Sequence, residues 1–134
     1  MPIDDIIFNV NMDMIGTNSD YRMYAGGTHY TRELKPILNK VWSGRRDMAL
    51  HYGYDIPRTV DDRTFRSDHA VFHVVGIPFL YFGVPEHLNY HQPTDDYQNI
   101  SHGFYYNGVN LILKSIVSFD REFPVIKRRK AVRN

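Results

Sequence analysis

Two segments of the chain carry side chains that could bind a metal ion. Asp13 closes an alternating stretch, NVNMD, and the pair Tyr90-His91 lies in the segment NYHQPTDD. A carboxylate and an imidazole together suit a divalent ion such as zinc. Taken singly, each residue has a simpler explanation, because an aspartate at a strand end often caps a turn and a loop histidine is often a bystander. A metal site therefore requires a fold that brings the two segments together.

The predicted strands place both segments at one end of a sheet. Residues 6–15 alternate between apolar and polar side chains, which predicts a strand that ends at Gly16 and carries Asp13 at its carboxyl end. Residues 77–84 form a β-branched and aromatic run that predicts a buried strand leading into the loop of His91. Ligands of open α/β sheets bind beyond the carboxyl ends of the strands. We therefore expect Asp13 and His91 to share a cleft.

The remaining pattern predicts an α/β fold. A further strand is predicted for residues 21–25, helices near residues 31–44, 70–75 and from 101 onward, and a loop over 45–66. Ser67 and Ser101 are the candidate N-caps of the second and third helices. Strands that alternate with helices predict βαβ units and a largely parallel sheet covered by helices. Helical spacing predicts an apolar stripe on the third helix made of Tyr105, Val109, Ile112, Leu113, Ile116 and Phe119.

Composition and charge exclude several classes of protein. The 134 residues are 43% hydrophobic and 23% charged, as expected for one globular domain. The absence of cysteine excludes disulfides and thiolate metal sites. No apolar run reaches the roughly 18 residues that span a bilayer, and the first residues lack the pattern of a signal peptide. With a net charge of +1 and bases concentrated only at 127–133, the sequence predicts no nucleic-acid partner.

Three motifs in order connect these observations to a known family. NMDMIG, then RSDHAVFHVVGIPFLYFGV, then NYHQPTDD closely resemble the carboxyl-terminal half of the co-catalytic di-zinc aminopeptidases, which include bacterial leucyl aminopeptidases, aminopeptidase S and glutamate carboxypeptidase II. The resemblance extends from about Ile6 to Phe123. It implies a three-layer αβα fold with a mostly parallel mixed sheet, present here as the C-terminal portion of the zinc-exopeptidase fold. Residues 1–123 would form this portion, and residues 124–134 a basic, disordered tail.

The resemblance also implies roles for individual residues. Asp13 would bind the first zinc ion and His91 the second, while Tyr90 would help to stabilise the oxyanion of the tetrahedral intermediate. Residues expected to support the ligands without binding metal are Ser67, Asp68, His69 and Asp95. For the Ser67-Asp68-His69 trio the alternative is a plain helix cap.

The complete family site needs more ligands than these. Each of its two zinc ions has three protein ligands; the others lie in an H-x-D motif and in a Glu-Glu pair that also supplies the general base. Neither motif occurs in the 134 residues, and His87 is the alternative histidine ligand. We therefore expect this chain alone to bind zinc weakly and to hydrolyse no peptide, although a peptide is the implied substrate. An exposed sheet edge is expected to pair with a second copy, giving a homodimer.

Three other interpretations stay open at this point. A glutaminyl cyclase shares this fold and uses one zinc ion, but usually has a tryptophan where Tyr90 stands. The transferrin receptor ectodomain keeps the fold without metals, whereas Asp13 and His91 are both retained here. The third is an unrelated α/β domain with chance motifs. Bacterial members of the family are often exported, and the sequence itself leaves the compartment and the side-chain preference of the substrate open.

Overall fold

A computed structural model describes residues 2–131, and for residue 4 and residues 123–131 it describes the backbone alone. Four strands and three helices follow one another, with single 3₁₀ turns at Ile3–Asp5 and Tyr97–Asn99. In chain order the elements are β1 (Asn9–Met12), β2 (Arg22–Gly26), α1 (Leu34–Trp42), β3 (Ala49–His51), α2 (His69–Val74), β4 (Phe79–Gly83) and α3 (His102–Ala131).

The sheet is mixed and mostly parallel. Its strand order is β1-β4-β2-β3. The pairs β1/β4 and β2/β3 run parallel, and the central pair β2/β4 runs antiparallel. Met12, the last residue of β1, lies opposite Phe82 near the end of β4. The carboxyl ends of these two strands therefore meet at one end of the sheet, as the sequence predicted.

Helices cover both faces of this sheet. On one face Met23, Leu80 and Phe82 pack into a core formed with α1 and α3. These two helices are also joined by a bond from the Trp42 indole nitrogen to the Ser115 hydroxyl, 3.2 Å. On the other face α2 lies against β4 and β1. The predicted α/β class and three-layer arrangement are confirmed, as a partial domain.

Two predictions about local structure are wrong. The region 45–66 was predicted to be a loop, yet it contains β3, which pairs only with β2 among the described residues. A strand of three residues at a sheet edge gives too short a pattern for sequence recognition. Ser67 does not cap α2, because Asp68 occupies the N-cap position and no side chain makes a cap hydrogen bond. The Ser67 hydroxyl is used elsewhere, as described below.

The buried stripe of α3 also differs from the predicted one. Ile112 and Phe119 are buried as expected, but Tyr105, Val109 and Leu113 are exposed. The helix carries apolar residues on two neighbouring stripes, and the spacing rule alone does not say which one faces the core. The residues that face the core include Phe104, Leu111, Ile112, Ser115 and Phe119, and Ile116 is partly buried and packs against it, as predicted.

The chain terminus allows only a limited description. The backbone of α3 reaches Ala131, and the side chains that made 124–134 a basic tail lie outside the described residues. The predicted disordered tail therefore stays a prediction. Within residues 2–131, none of the helices is both long enough and apolar enough to cross a bilayer.

Candidate active site

The end of β1 fixes the position of Asp13. The backbone nitrogen of Asp13 donates to the carbonyl of Phe82, 3.1 Å, which continues the β1/β4 ladder by one residue. The side chain of Asp13 is exposed. Its Oδ2 atom accepts a hydrogen bond from the Ser67 hydroxyl, 2.8 Å. Asp13 is therefore held at the carboxyl end of its strand with its carboxylate open to solvent.

A chain of hydrogen bonds runs inward from Asp13 beneath α2. The Asn11 side-chain nitrogen donates to the Ser67 hydroxyl, 2.9 Å, and also contacts His69 Nδ1, 3.2 Å. His69 Nε2 lies 2.9 Å from the carbonyl of Arg63. Since a carbonyl can only accept, Nε2 carries the proton and Nδ1 accepts from Asn11. The hydroxyl that touches Asp13 is thus oriented by an amide and an imidazole behind it.

The imidazole of His69 is neutral in this position. Its side chain is fully buried and stacks between the rings of Phe79 and Tyr81, with ring centroids 4.7 Å away on each side. Burial lowers the pKa of His69 below its ordinary value of 6.5, and the hydrogen bond with the Arg63 carbonyl only partly opposes this. A protonated ring would also lose its bond from Asn11, because Nδ1 could no longer accept.

Tyr81 joins the Asp13 region to the loop that follows β4. The pKa of Tyr81 is raised to about 12, first by burial and then by the charge of Asp13 and by Tyr90, while Arg63 opposes the rise. The Tyr81 phenol therefore remains protonated at neutral pH and lies within electrostatic range of both Asp13 and Tyr90. The phenol lies over Gly83, and a methyl group on that residue would collide with the Tyr81 hydroxyl.

The loop after β4 presents Tyr90 and His91 as a pair. Their rings stack with centroids 3.9 Å apart and planes 21° apart. The side chain of His91 is exposed, and its φ of 56° lies in the left-handed region. A non-glycine residue in this region is uncommon, and such residues concentrate at functional sites. The loop itself is held by a bond from the Thr94 hydroxyl to the Asn89 side chain, 2.8 Å.

Arg63 connects two loops beside this region. Its guanidinium forms an ion pair with Glu86 in the loop after β4, 3.0 Å, and its backbone nitrogen donates to the carbonyl of Tyr54, 2.7 Å. Its own carbonyl accepts from His69. Arg63 therefore ties the segment before α2 to the segment that leads towards Tyr90.

The donors present match zinc in type but not in number. Asp13 and His91 offer an exposed carboxylate and an exposed imidazole, which are common zinc ligands. No group of three or more histidine, cysteine, aspartate or glutamate side chains able to hold a metal occurs within the described part of the chain. His87, the alternative ligand, has a buried Nδ1 without a hydrogen-bond partner among these residues. Zinc sites use three or four protein ligands, so the described residues alone do not supply a complete zinc site.

The structure brings together some of the predicted residues and not others. Ser67 and His69 belong to the network behind Asp13, and a role as helix caps alone does not account for these hydrogen bonds. The side chains of Asp68 and Asp95 are exposed and make no hydrogen bond with these residues in the described range. The roles assigned to all of these residues, including metal binding by Asp13 and His91, stay predictions.

Two members of this region were not predicted from the sequence. Asn11 had a signal, since it lies between Asn9 and Asp13 on the polar face of β1, and three polar side chains on one strand face are unusual beneath a helix. Tyr81 had none. It lies inside a continuous apolar run, where a tyrosine cannot be distinguished from a core aromatic by its pattern.

Comparison with protein-family models identifies the family of the chain. The model for peptidase family M28 matches residues 1–116, a span that includes Asp13, Ser67, Tyr90 and His91. Comparisons with curated proteins and with solved structures found no match. Zinc-dependent peptidase chemistry is general in the M28 family. The chain belongs to peptidase family M28, the family of the co-catalytic zinc aminopeptidases.

Proposed function

We propose that these residues are the carboxyl-terminal portion of a zinc aminopeptidase, which removes the N-terminal residue of a peptide when its metal site is complete. The observation that carries the proposal is the network of Asn11, Ser67 and His69 behind an exposed Asp13. A carboxylate exposed to solvent is hydrated by water and needs no hydrogen bonds from the protein to be stable. A partly buried network that orients an exposed carboxylate is typical of a metal ligand.

Each residue has a defined task in this proposal. Asp13 and His91 would each supply one ligand to one of two zinc ions. When bound, zinc supplies a water of lowered pKa and polarises the scissile carbonyl. Tyr90 would donate its phenolic proton as a hydrogen bond to the oxyanion as negative charge develops there. His91 is exposed and Tyr90, stacked on it, is partly exposed, so both rings would be within reach of a substrate.

The supporting residues orient the carboxylate of Asp13. Ser67 donates to Oδ2 of Asp13, 2.8 Å, which leaves Oδ1 available to an ion. Ser67 can donate outward because Asn11 donates to its oxygen from behind. His69 fixes Asn11 in turn by accepting from it as a neutral imidazole. The hydrogen bonds are therefore all donated in one direction, from the Asn11 amide to the Ser67 hydroxyl and from that hydroxyl to the Asp13 carboxylate.

The test is a zinc titration of the 134-residue chain followed by ¹H–¹⁵N NMR, including long-range spectra of the histidine rings. We expect weak, saturable binding with the largest shifts at Asp13 and His91, and loss of binding in Asp13→Ala and in His91→Ala. His102→Ala, which removes another exposed histidine, is the matched control and should bind zinc as the unchanged chain does.

Two outcomes would contradict the proposal in different ways. Zinc binding that survives both Asp13→Ala and His91→Ala would remove these residues from the metal site. Turnover of an aminoacyl nitroanilide by the chain with added zinc, abolished by Asp13→Ala, would show that the ligands here suffice. It would then refute the expectation that further ligands and the general base are required.

A further inference from the structure

The outward face of α3 carries an apolar stripe that the core does not use. Tyr105, Val109, Leu113 and Val117 follow one another at intervals of four residues, and their side chains are between 38% and 57% exposed. Residues spaced by four lie on the same side of a helix, so they form one continuous ridge about 18 Å long. Contiguous apolar surface of this kind on a folded domain marks an interaction site.

Next to this ridge, α1 and α3 form a groove of about 450 Å³. Val41 of α1 with Leu113 and Val117 of α3 give it an apolar lining. Among the described side chains, the charged residues that line it are cations, namely Lys40, Lys114 and Arg121. The described lining of the groove therefore combines apolar side chains with positive charge.

The apolar and cationic side chains of the groove together indicate which kind of molecule could bind there. A second copy of the chain would bring three cations against three cations, which is unfavourable unless acidic groups separate them. A helix that presents an apolar row flanked by glutamates or aspartates fits both features, because its row can contact the apolar lining and its acids can pair with the cations. We propose that the α1/α3 groove docks an acidic amphipathic helix of a partner protein.

The proposal does not rest on the proposed peptidase function. α1 and α3 cover the sheet face with Leu80 and Phe82, whereas the network behind Asp13 lies beneath α2 on the other face. The groove is concave and lies between two helices. This shape favours a helix over a flat membrane surface, which would suit a convex or planar apolar face better.

The test uses a synthetic, fluorescein-labelled 16-residue helical peptide with leucines at i, i+3, i+4 and i+7 spacing and glutamates elsewhere, titrated with the full chain by fluorescence anisotropy. We expect saturable binding that Leu113→Asp weakens at least tenfold. The double variant Lys114→Glu/Arg121→Glu should lose this peptide and bind the version with lysines in place of glutamates. Val74→Asp, at an exposed position of α2, is the control and should bind normally.

Every alternative outcome overturns the proposal. Absence of saturable binding, or equal binding of a scrambled peptide, removes the helix as occupant. A dimer that Leu113→Asp abolishes in light scattering assigns the groove to a second copy. Binding to vesicles of phosphatidylglycerol in preference to the peptide assigns it to a membrane. Circular dichroism checks the fold of each variant, and Val117→Asp serves if Leu113→Asp is unfolded.

Discussion

Replacement of His69 by phenylalanine tests whether the network behind Asp13 holds as the structure shows. Phenylalanine keeps the ring between Phe79 and Tyr81, so the stacking and the buried volume change little. It removes both hydrogen bonds of the imidazole, those with Asn11 and with the Arg63 carbonyl. The substitution therefore separates hydrogen bonding from packing at a fully buried position.

The expected loss of stability depends on the hydrogen bonds that Asn11 and the Arg63 carbonyl keep in His69→Phe. The Arg63 carbonyl still accepts from the backbone nitrogen of Arg66, 3.1 Å, and Asn11 still donates to Ser67, 2.9 Å. Neither partner is left wholly unsatisfied, so the loss is that of two ordinary hydrogen bonds. At about 0.5–1.5 kcal/mol each, His69→Phe should lower the free energy of unfolding at pH 7.5 by about 1–3 kcal/mol.

The same variant should lose part of the acid sensitivity of the chain. Burial lowers the pKa of His69 in the fold below 6.5, so the unfolded chain takes up a proton first as the pH falls. The stabilisation from neutral His69 is therefore complete above about pH 6.5 and disappears as the pH falls through the lowered folded value. One such proton contributes a slope of at most about 1.4 kcal/mol per pH unit, and His69→Phe should remove it.

Urea denaturation followed by circular dichroism, between pH 7.5 and pH 5, measures both effects. His102→Phe is the control, since His102 is exposed and its ring contacts that of Tyr97; it should change stability by less than about 0.5 kcal/mol and keep the acid slope. A loss below about 0.5 kcal/mol in His69→Phe, or an unchanged slope, would refute the account of the network given above.

Two further substitutions test the packing of the site and the sheet edge. Gly83→Ala should destabilise the chain by about 1–3 kcal/mol in urea denaturation, because its methyl group would collide with the Tyr81 hydroxyl and lie 3.0 Å from the Asp13 carbonyl. Gly16→Ala is the control, since a methyl group has space there. If Gly83→Ala destabilises the chain no more than Gly16→Ala does, Tyr81 does not occupy this position. We also propose that the chain forms a homodimer through the outer edge of β1. Asp13 donates its backbone N–H to β4, so the N–H of the preceding residue, Met12, points to the outer edge. Met12→Pro should therefore lower the dimer fraction measured by light scattering, and an unchanged dimer fraction would exclude this edge.

The sequence predicted the architecture because its strands have strong patterns. β1 alternates between apolar and polar residues, and β4 is a continuous apolar run that follows Pro78 and ends at Gly83. β3 was missed because three edge residues carry no period. The predicted buried face of α3 was displaced by about one residue, because two apolar stripes run side by side on the helix. Packing against α1 decides which of the two is buried.

The sequence predicted the end of the sheet at which Asp13 lies, but not the residues that support it. Asp13 directly follows β1, and the carboxyl ends of β1 and β4 meet as the strand patterns predicted; that His91, in the loop after β4, shares a cleft with Asp13 stays a prediction. The support of Asp13 was not predictable, because Ser67 is a plausible helix cap in sequence and donates to a carboxylate 54 residues away in the structure. Hydrogen bonds across such a separation depend on tertiary packing that local patterns do not contain.

The two faces of the sheet explain why stability and site geometry are linked in this chain. The face under α1 and α3 is apolar and supplies the core. The face under the six residues of α2 carries buried polar groups that must be hydrogen-bonded to be tolerated. Those bonds end at Asp13, so a substitution that leaves one of them unmade should weaken the fold and release the carboxylate together. Substitutions on the α1/α3 face should change stability while leaving the orientation of Asp13 intact.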